Sequence, residues 1–485
     1  MASIQDELTR LLGPQRTVTG ADALMAWECD GFTIHKARPL AVVLPETTEQ
    51  VVDVVRLLQA RKVAFLPRGA GTCLSGGPTP AVPSVVVELA RMNKVLEVSR
   101  EDLCAVVQPG VVNIDLTAAV SHLGLHYAPD PSSQTVCTIG GNLAENSGGP
   151  HCFKYGMTTD HVLGALVVLA DGTVARFGDA AGPRMPHGLD LAGLFCGSEG
   201  TFGIATEITV RLSHDQPCVR TLLAAFASMS AACRTVTQIV RAGMVPAALE
   251  ILDQATIRAV EASVYRAGYP EDAAAVLLVE LDGAADVLAE EAAEIQDLFA
   301  ANGAIRIEEA TSAAERKKLW KGRKGAFGAM GRLNTDLYVM DGVVPRTKLE
   351  VALERITAIG RKHGVPITNV FHAGDGNLHP NIPYDGRDAA ETARVVAAGS
   401  EILAMCVELG GSITGEHGIG TEKLDQVPLM YREQDLEVMR RARTAFDPSG
   451  LCNPGKVLPQ RASCAEVAKW PKMVARVLDG DGSSA

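Results

Sequence analysis

Two histidines beside an Asp-Gly pair are the first residues whose spacing indicates chemistry. In Val370-Phe-His-Ala-Gly-Asp-Gly-Asn-Leu-His-Pro-Asn-Ile382, Asp-Gly is a preferred two-residue hairpin turn. If Asp375 and Gly376 form that turn, His372 lies directly opposite His379, with Cβ atoms about 5 Å apart. Two imidazoles at that spacing can share one metal ion, and Asn381 lies on the same face. The segment predicts a metal site; the alternative is two unrelated polar residues near a turn.

A second segment, Gly410-Gly-Ser-Ile-Thr-Gly-Glu-His-Gly-Ile-Gly420, surrounds one Glu–His dipeptide with glycines. Such glycines indicate a crowded backbone that holds two side chains in fixed directions. The spacing differs from the HExxH of helical zinc proteases. Glu416 could supply an anionic third ligand, and His417 could then act as the base that deprotonates a metal-bound alcohol. The alternative is a structural turn with a solvated Glu–His pair.

A glycine loop, Pro67-Arg-Gly-Ala-Gly-Thr-Cys-Leu-Ser-Gly-Gly77, follows a predicted buried strand. Glycines let successive backbone N–H groups approach an anion. A dinucleotide turn of the Rossmann type must open a helix, but Pro78, Pro80 and Pro83 prevent a helix from starting here. The loop therefore indicates either a backbone nest for pyrophosphate or a purely structural loop.

A second loop favours the nest. Ala128-Pro-Asp-Pro-Ser-Ser-Gln-Thr-Val-Cys-Thr-Ile-Gly-Gly-Asn-Leu-Ala-Glu-Asn-Ser-Gly-Gly149 combines glycine pairs with hydroxyls and amides, which suit an enclosed anionic ligand. Both loops, with Gly197-Ser-Glu-Gly-Thr-Phe-Gly-Ile204, resemble the FAD-binding domain of the vanillyl-alcohol oxidase and p-cresol methylhydroxylase superfamily. The resemblance implies extended FAD between two α+β subdomains and a separate substrate-capping domain.

The histidine and Glu–His motifs resemble the metal-dependent 2-hydroxy-acid dehydrogenase branch of that superfamily. This branch includes flavin (D) subunits of bacterial glycolate oxidases, to which the chain is most similar, D-lactate dehydrogenases and D-2-hydroxyglutarate dehydrogenase. The resemblance runs from about residue 20 to Asn453-Pro-Gly-Lys456 and includes His151-Cys-Phe-Lys-Tyr-Gly156.

Residue by residue, the resemblance implies His372, His379 and Glu416 as ligands of a divalent metal (zinc, manganese or iron) and His417 as the base. Asn381 would contact the substrate, and Arg323 would clamp its carboxylate, a role that suits a planar bidentate donor. The implied contacts of non-covalent FAD are Pro67, Arg68, Gly69, Ala70, Gly71, Thr72, Ser75, Gly76, Pro131, Ser132, Ser133, Thr138, Ile139, Gly140, Gly141, Asn142, Ala144, Asn146, Gly148, Gly149, Gly200, Gly203, Ile204 and Asn453.

The elements that position these motifs follow from periodicity. Residues 39–67 favour strand, helix, strand, with Thr47 or Thr48 as the helix cap and Val51 and Leu58 on the buried face. Further strands are predicted at 84–89, 94–98, 103–108 and 204–212, the last half-buried, with a short helix from residue 113.

The predicted fold class is α+β. We expect a two-subdomain FAD-binding domain of the vanillyl-alcohol oxidase type at 1–214 and an α+β substrate (cap) domain with the metal site at 215–445. A short segment at 446–485 would pack back on the FAD domain.

Composition narrows the function. The net charge of −12 argues against nucleic-acid binding, which needs clustered Lys and Arg. The N-terminus is acidic and no apolar core follows, so a cytoplasmic location is expected, with peripheral association at the inner face of the membrane left open. The 11 cysteines contain no CxxC pair. This excludes the usual iron–sulfur spacings, so if electrons pass onward through iron–sulfur clusters, those clusters lie on another protein. The resemblance implies companion flavin-type and iron–sulfur subunits as electron acceptors.

The implied reaction is oxidation of a short 2-hydroxy acid to the 2-oxo acid, with hydride transfer to flavin N5. The segment Leu337-Tyr-Val-Met-Asp341 lacks the lysine that relatives with longer acids carry, so a monoacid such as glycolate is favoured over 2-hydroxyglutarate. D-Lactate is the main rival substrate. A non-catalytic flavin-binding subunit and a metal-only lyase or hydrolase are the alternatives from other classes.

Overall fold

The computed structural model describes residues 2–178 and 188–459. The chain forms two compact units. The first comprises the chain up to Gly149, Tyr155–Asp215 and Glu416–Pro459, and the second comprises Pro150–Lys154 and Gln216–Gly415. The chain thus returns to the first unit at Glu416, whereas the sequence placed its last boundary at 446. Residues 460–485 of the predicted C-terminal segment lie outside the described residues.

The first unit contains two main sheets. The strands of the four-stranded sheet, in spatial order, are Thr17–Val18, Ala41–Val43, Ser84–Glu88 and Ala64–Arg68, and the last three are parallel. The five-stranded antiparallel sheet has the order Val95–Ser99, Cys104–Val107, Ile204–Arg211, Val162–Val168 and Val174–Gly178. Leu125–His126 pairs with Ser213–His214 in a short ribbon.

Helix Thr48–Arg61 shows how the sequence sets these elements. The Thr47 hydroxyl accepts a hydrogen bond from the Gln50 amide, which caps the helix as predicted. Val51, Val55 and Leu58 are fully buried along one face. The other helices that belong to this unit are Ile4–Leu12, Ala21–Leu24, Asn113–Val120, Ile139–Glu145, Thr158–His161, Leu191–Phe195, Val427–Met430 and Glu433–Phe446; Cys152–Tyr155 spans a unit boundary.

One predicted strand is more buried than expected. Ile204–Arg211 forms, but Thr206 and Thr209 are buried as well as Ile208, so the half-buried prediction is wrong. The reason is position, since this is the central strand of its sheet. The Thr206 hydroxyl donates to the Leu166 carbonyl, which satisfies the buried side chain.

The second unit is built on one large antiparallel sheet. Its main path runs Ala304–Glu309, Cys218–Phe226, Ala275–Gly283, Ala248–Asp253, Thr368–His372, Asn377–Leu378 and Gly342–Val343, and Pro380–Tyr384 pairs with both Thr368–His372 and Asp336–Val339. The helices are Met229–Arg241, Gln254–Glu261, Ala285–Ala301, Ala313–Lys324, Ala326–Met330, Leu349–His363 and Ala389–Glu408. In the described part of the chain, the search for a helix long and apolar enough to cross a bilayer finds none.

Candidate flavin and metal sites

The first glycine loop follows strand Ala64–Arg68, and, as predicted, no helix begins there. Gly71 and Gly76 have φ of 70° and 79°, a region that favours glycine. Among the described residues, no protein acceptor pairs with the four successive amides from Gly69 to Thr72. Successive unpaired amides form the anion-binding nest that a pyrophosphate needs.

The second loop contains a helix that was not predicted because this segment is rich in glycine. Ile139–Glu145 is helical, and Thr138 caps it by accepting from the Gly141 amide at 3.3 Å. A Cβ at Gly140 would lie 2.5 Å from the Pro109 side chain. A Cβ at Gly69 would overlap the Thr138 hydroxyl, so the two loops meet at backbone distance. This close approach fits a cradle for an extended cofactor.

Several predicted flavin contacts are held by protein groups and shape the loops. The Arg68 guanidinium donates to the carbonyls of Pro78 and Cys29. The Asn142 side chain accepts from Asn113, and Asn453 donates to the carbonyl of Glu199 at 2.7 Å. The remaining predicted contacts, all in the first unit, are Pro67, Ala70, Thr72, Ser75, Pro131, Ser132, Ser133, Ile139, Ala144, Asn146, Gly148, Gly149, Gly200, Gly203 and Ile204.

Buried charges support the first loop, and the sequence analysis missed them. Asp30 accepts from the Gly76 amide at 2.9 Å, and burial raises the pKa of this carboxyl to about 6. The Lys456 ammonium donates to the carbonyls of Gly76 and Thr79, and burial lowers its pKa to about 8. Burial also raises the pKa of Glu145, as does the neighbouring charge of Glu199.

The Glu–His segment is fixed by its backbone in the first unit. The Glu199 carboxylate accepts from the amides of Ile419 and Gly420 at 2.6 and 2.7 Å. The Ser75 hydroxyl donates to the His417 carbonyl at 2.9 Å. The side chain of His417 is 10% exposed and that of Glu416 13%, with 3.9 Å between His417 Nε2 and Glu416 Oε1. Glu199 and Ser75 therefore fix the backbone on which the side chains of Glu416 and His417 are carried.

The two metal-motif histidines lie together in the second unit, but through a different turn. His372 pairs with Asn377 across the hairpin, so residues 373–376 form a four-residue turn and the predicted two-residue turn is wrong. The Asp375 carboxylate accepts from the Asn377 amide at 3.0 Å, an Asx-type bond that favours the longer turn. Because the register shifts by two residues, the side chains keep their face. The rings of His372 and His379 have centroids 5.1 Å apart and are perpendicular.

Beside His372 lies a buried ion pair that the sequence analysis missed. Glu250, on strand Ala248–Asp253, is directly opposite His372 in the sheet. Its Oε1 is 2.7 Å from His372 Nδ1, and its Oε2 accepts from Nε and Nη2 of Arg323, each at 2.6 Å. Glu250 and Arg323 are fully buried. Arg323 was predicted as the substrate clamp, but the only sequence signal for Glu250 was one acid inside the apolar run Ala247-Ala-Leu-Glu-Ile-Leu252.

This pairing restricts what Arg323 can offer a ligand. Two of its nitrogens are committed to Glu250, so the expected two-point clamp on a substrate carboxylate reduces to one nitrogen, Nη1. Within the described residues Nη1 has no hydrogen-bond partner, and neither do the side-chain oxygens of Asn377 and Asn381. A buried polar atom left unpaired costs about 1–3 kcal/mol, so these three atoms indicate a polar ligand or ordered water.

A second carboxylate supports the other histidine. His379 Nδ1 faces the Met340 carbonyl at 3.2 Å and the Asp341 carboxylate at 4.0 Å. Asp341 Oδ2 also accepts from the Thr414 hydroxyl at 2.6 Å and the Gly415 amide at 3.0 Å. Asp341 therefore lies beside His379 and fixes the backbone that leads directly into Glu416.

Comparisons with known proteins identify the family. Residues 39–178 match the family described as FAD binding domain, and residues 216–457 match FAD linked oxidases, C-terminal domain. Glycolate oxidase subunit GlcD of Escherichia coli (strain K12) is 43% identical over 445 residues, 92% of this chain and 89% of that protein. The chain belongs to the FAD-linked oxidases. It is therefore a flavoenzyme, and FAD is its cofactor.

Other relatives of this FAD-linked oxidase extend the comparison. GlcD of Bacillus subtilis (strain 168) is 37% identical over 466 residues, 96% of this chain and 99% of that protein. D-lactate dehydrogenase of Anaerostipes hadrus is 31% identical over 454 residues, 92% and 95% respectively.

Solved structures show that the fold is of the vanillyl-alcohol oxidase type. Substrate-bound p-cresol methylhydroxylase has a TM-score of 0.80 at 19% identity, covering 93% of this chain and 95% of that one. 4-Ethylphenol oxidase from Gulosibacter chungangensis has a TM-score of 0.79 at 21% identity, covering 94% and 97%. The predicted fold class is confirmed.

Proposed function

We propose that this FAD-linked oxidase is a metal-dependent dehydrogenase that converts a short 2-hydroxy acid, glycolate and also D-lactate, to its 2-oxo acid. The observation that carries the proposal is the buried group formed by His372, His379 and Arg323, with Nη1 of the arginine unpaired among the described residues. Such a group suits an anionic substrate beside a metal ligand pair. Relatives named glycolate oxidase and D-lactate dehydrogenase supply the substrate class.

The proposed metal is a divalent zinc, manganese or iron ion with His372, His379 and Glu416 as ligands. In both histidines Nδ1 faces a protein oxygen, which supports Nε2 as the atom that would bind the metal. Glu416 follows Gly415 by one peptide bond, and the Gly415 amide is fixed by Asp341. Two imidazoles and one carboxylate form a donor set that suits all three metals, with positions left for substrate oxygens. When bound, such an ion polarises the substrate hydroxyl and carboxylate.

Three residues of the chain would bind the substrate, orient it and remove its hydroxyl proton. Arg323 Nη1 would donate to the substrate carboxylate. Asn381 donates its Nδ2 to the His379 carbonyl at 2.7 Å, so its Oδ1 would accept a hydrogen bond from the substrate hydroxyl or a bound water. His417 would take the hydroxyl proton. Non-covalent FAD supplies the acceptor, at N5, for the hydride that leaves C2.

The proposed substrate is a monoacid because Val339 and Met340, the residues beside Asn381, are uncharged. Val339 lies directly opposite Asn381 in the sheet, and both Val339 and Met340 are buried. A second substrate carboxylate placed here would be buried without a cation, which costs several kcal/mol. Glycolate and lactate avoid this cost.

Reduced flavin must pass its electrons on. We propose companion flavin-type and iron–sulfur subunits as acceptors, since the relative GlcD is named as a subunit of glycolate oxidase and this sequence lacks clustered cysteines. A cytoplasmic protein that reaches the inner face of the membrane through those subunits fits this arrangement.

Anaerobic reduction of the purified protein's own flavin tests the chemistry without any partner. Glycolate and D-lactate should each bleach the visible flavin absorbance in the metal-loaded protein. Steady-state turnover with an artificial dye acceptor then ranks a panel of 2-hydroxy acids, including both lactate enantiomers and D-2-hydroxyglutarate.

The matched variants are His417→Gln, which should slow flavin reduction at least about 100-fold while the protein remains yellow, and His122→Ala, which removes an exposed histidine of the same unit. A wild-type flavin that no 2-hydroxy acid reduces would exclude the proposed reaction. Equal rates for wild type and His417→Gln would exclude only the base.

A further inference from the structure

A single carboxylate, that of Glu250, joins the predicted metal ligand to the predicted substrate clamp. Its Oε1 faces His372 Nδ1 at 2.7 Å and its Oε2 holds Arg323 through two nitrogens at 2.6 Å. Arg323 Nη2 is also 3.4 Å from His372 Nδ1, so the three groups are mutually in contact. All three side chains are at least nine-tenths buried.

We propose that Glu250 is a positioning residue that aims Nε2 of His372 at the metal and Nη1 of Arg323 at the substrate. The inference rests on the function proposed above. Glu250 itself touches neither group. A metal-bound histidine commonly donates its other ring N–H to a carboxylate, and loss of that carboxylate weakens metal binding about 10- to 100-fold.

The geometry favours this role over a merely structural ion pair. Arg323 alone would balance the charge of Glu250, and both of its contacts fall on one carboxylate oxygen. The other oxygen is directed to His372, its cross-strand neighbour. A carboxylate paired with arginine accepts hydrogen bonds, so Nδ1 carries the hydrogen and Nε2 keeps the lone pair that a metal requires.

The same sheet offers a matched control. Glu280, on strand Ala275–Gly283, is also buried and also faces a histidine, at 3.1 Å from His151 Nε2. It accepts in addition from Thr221 and from the Trp320 indole. Glu280 thus reproduces the burial and the histidine contact of Glu250 without the predicted ligand.

Metal affinity, measured apart from turnover, tests the role. Zinc is titrated into metal-stripped FAD protein against a competing chelator, and bound zinc is counted per flavin by mass spectrometry. Glu250→Gln should weaken zinc binding about 10- to 100-fold with flavin content unchanged, whereas Glu280→Gln should stay within about threefold of wild type.

Several results would overturn the inference. Unchanged zinc affinity in Glu250→Gln, or an equal loss in Glu280→Gln, contradicts it. If Glu250→Gln yields no folded flavoprotein, Glu250→Asp replaces it in the same titration with the same criteria, because it retains the charge that balances Arg323. If the wild-type protein bound neither zinc nor manganese, the proposed metal site would be wrong as well. If wild type binds metal and Glu250→Gln binds it equally well, only the role of Glu250 is wrong.

Discussion

The imidazole rings of His372 and His379 lie perpendicular to one another with 5.1 Å between their centroids. They are diagonal neighbours across a four-residue turn, since His372 pairs with Asn377 and His379 lies two residues beyond it. Each ring is fixed through Nδ1, one by Glu250 and the other by the Met340 carbonyl. Two rings held in this way present their other nitrogens in defined directions.

Removal of either ring should therefore abolish metal binding without affecting flavin binding. His372→Ala and His379→Ala are expected to lose bound metal and at least about 99% of turnover, because an open metal site tolerates no missing ligand. Flavin content should match wild type, since both residues lie in the second unit and the flavin loops in the first. Metal analysis and flavin absorbance of the purified variants check this. Wild-type metal content in both variants would contradict the ligand assignment.

Gly418 lies beside the proposed base and should not tolerate a side chain. Its φ is +78°, and a Cβ would come 2.5 Å from Glu145 and 2.7 Å from Glu199. Gly418→Ala should displace the His417 backbone and lower kcat at least about tenfold, equivalent to ~1.4 kcal/mol, with flavin retained. Gly410→Ala is the control, since Gly410 has φ +88° and its nearest neighbour would be 4.0 Å away. If both variants lost activity equally, backbone strain alone would account for the effect.

Asp30 should make the flavin-loop unit less stable as pH rises. Burial raises the pKa of this carboxyl from 3.8 to about 6, so the folded state favours its protonated form. The resulting stability is fully present below about pH 4, is lost as pH rises to about 6, and stays absent above. A shift of about two units corresponds to roughly 3 kcal/mol at most.

The side chain introduced by Asp30→Asn cannot ionise. The Tm of the variant minus that of wild type should therefore increase as the pH is raised from 4.5 to 7. Flavin fluorescence, which increases when FAD is released, follows the melting. Asp22→Asn, which removes an exposed carboxylate of the same unit, controls for net charge. A constant difference in Tm between wild type and Asp30→Asn across this pH range would show that Asp30 does not cause the loss of stability.

The sequence predicted well those features that depend on local pattern. The capped helix Thr48–Arg61, the start of helix Asn113–Val120 and the helix-free glycine loop all follow from turn chemistry and periodicity. Helix Ile139–Glu145 escaped prediction because Gly140 and Gly141 lower its intrinsic propensity and its tertiary context restores it. The burial of Thr206 likewise depends on its strand lying at the centre of a sheet, which no local window records.

In the candidate site, the same limit separates the residues that were found from those that were missed. His372 and His379 were found because only six residues separate them across one turn. Glu250 was missed because Arg323 is 73 residues away in the chain and its contact with His372 exists only after the sheet has formed. The register error at Asp375 was harmless because a shift of two residues preserves the face.

The range of substrates should be limited by Val339 and Met340, the uncharged residues beside Asn381. Val339 lies opposite Asn381, Met340 is fully buried, and Arg323 offers one unpaired nitrogen. Glycolate and D-lactate are expected to have kcat/KM at least about tenfold above D-2-hydroxyglutarate, because an unpartnered distal carboxylate costs upward of ~1.4 kcal/mol.

Two variants test the physical cause with steady-state kinetics and an artificial acceptor. Val339→Lys places a cation opposite Asn381. It should raise kcat/KM for the diacid and so reduce the difference in kcat/KM between the monoacids and D-2-hydroxyglutarate. Arg323→Lys should weaken every substrate, because a single ammonium cannot hold Glu250 through two nitrogens and still extend a third to the substrate. Val339→Ala controls for lost packing at 339 and should leave the ratio unchanged. Wild-type preference for the diacid would refute the short-monoacid assignment and leave the proposed flavin and metal chemistry intact.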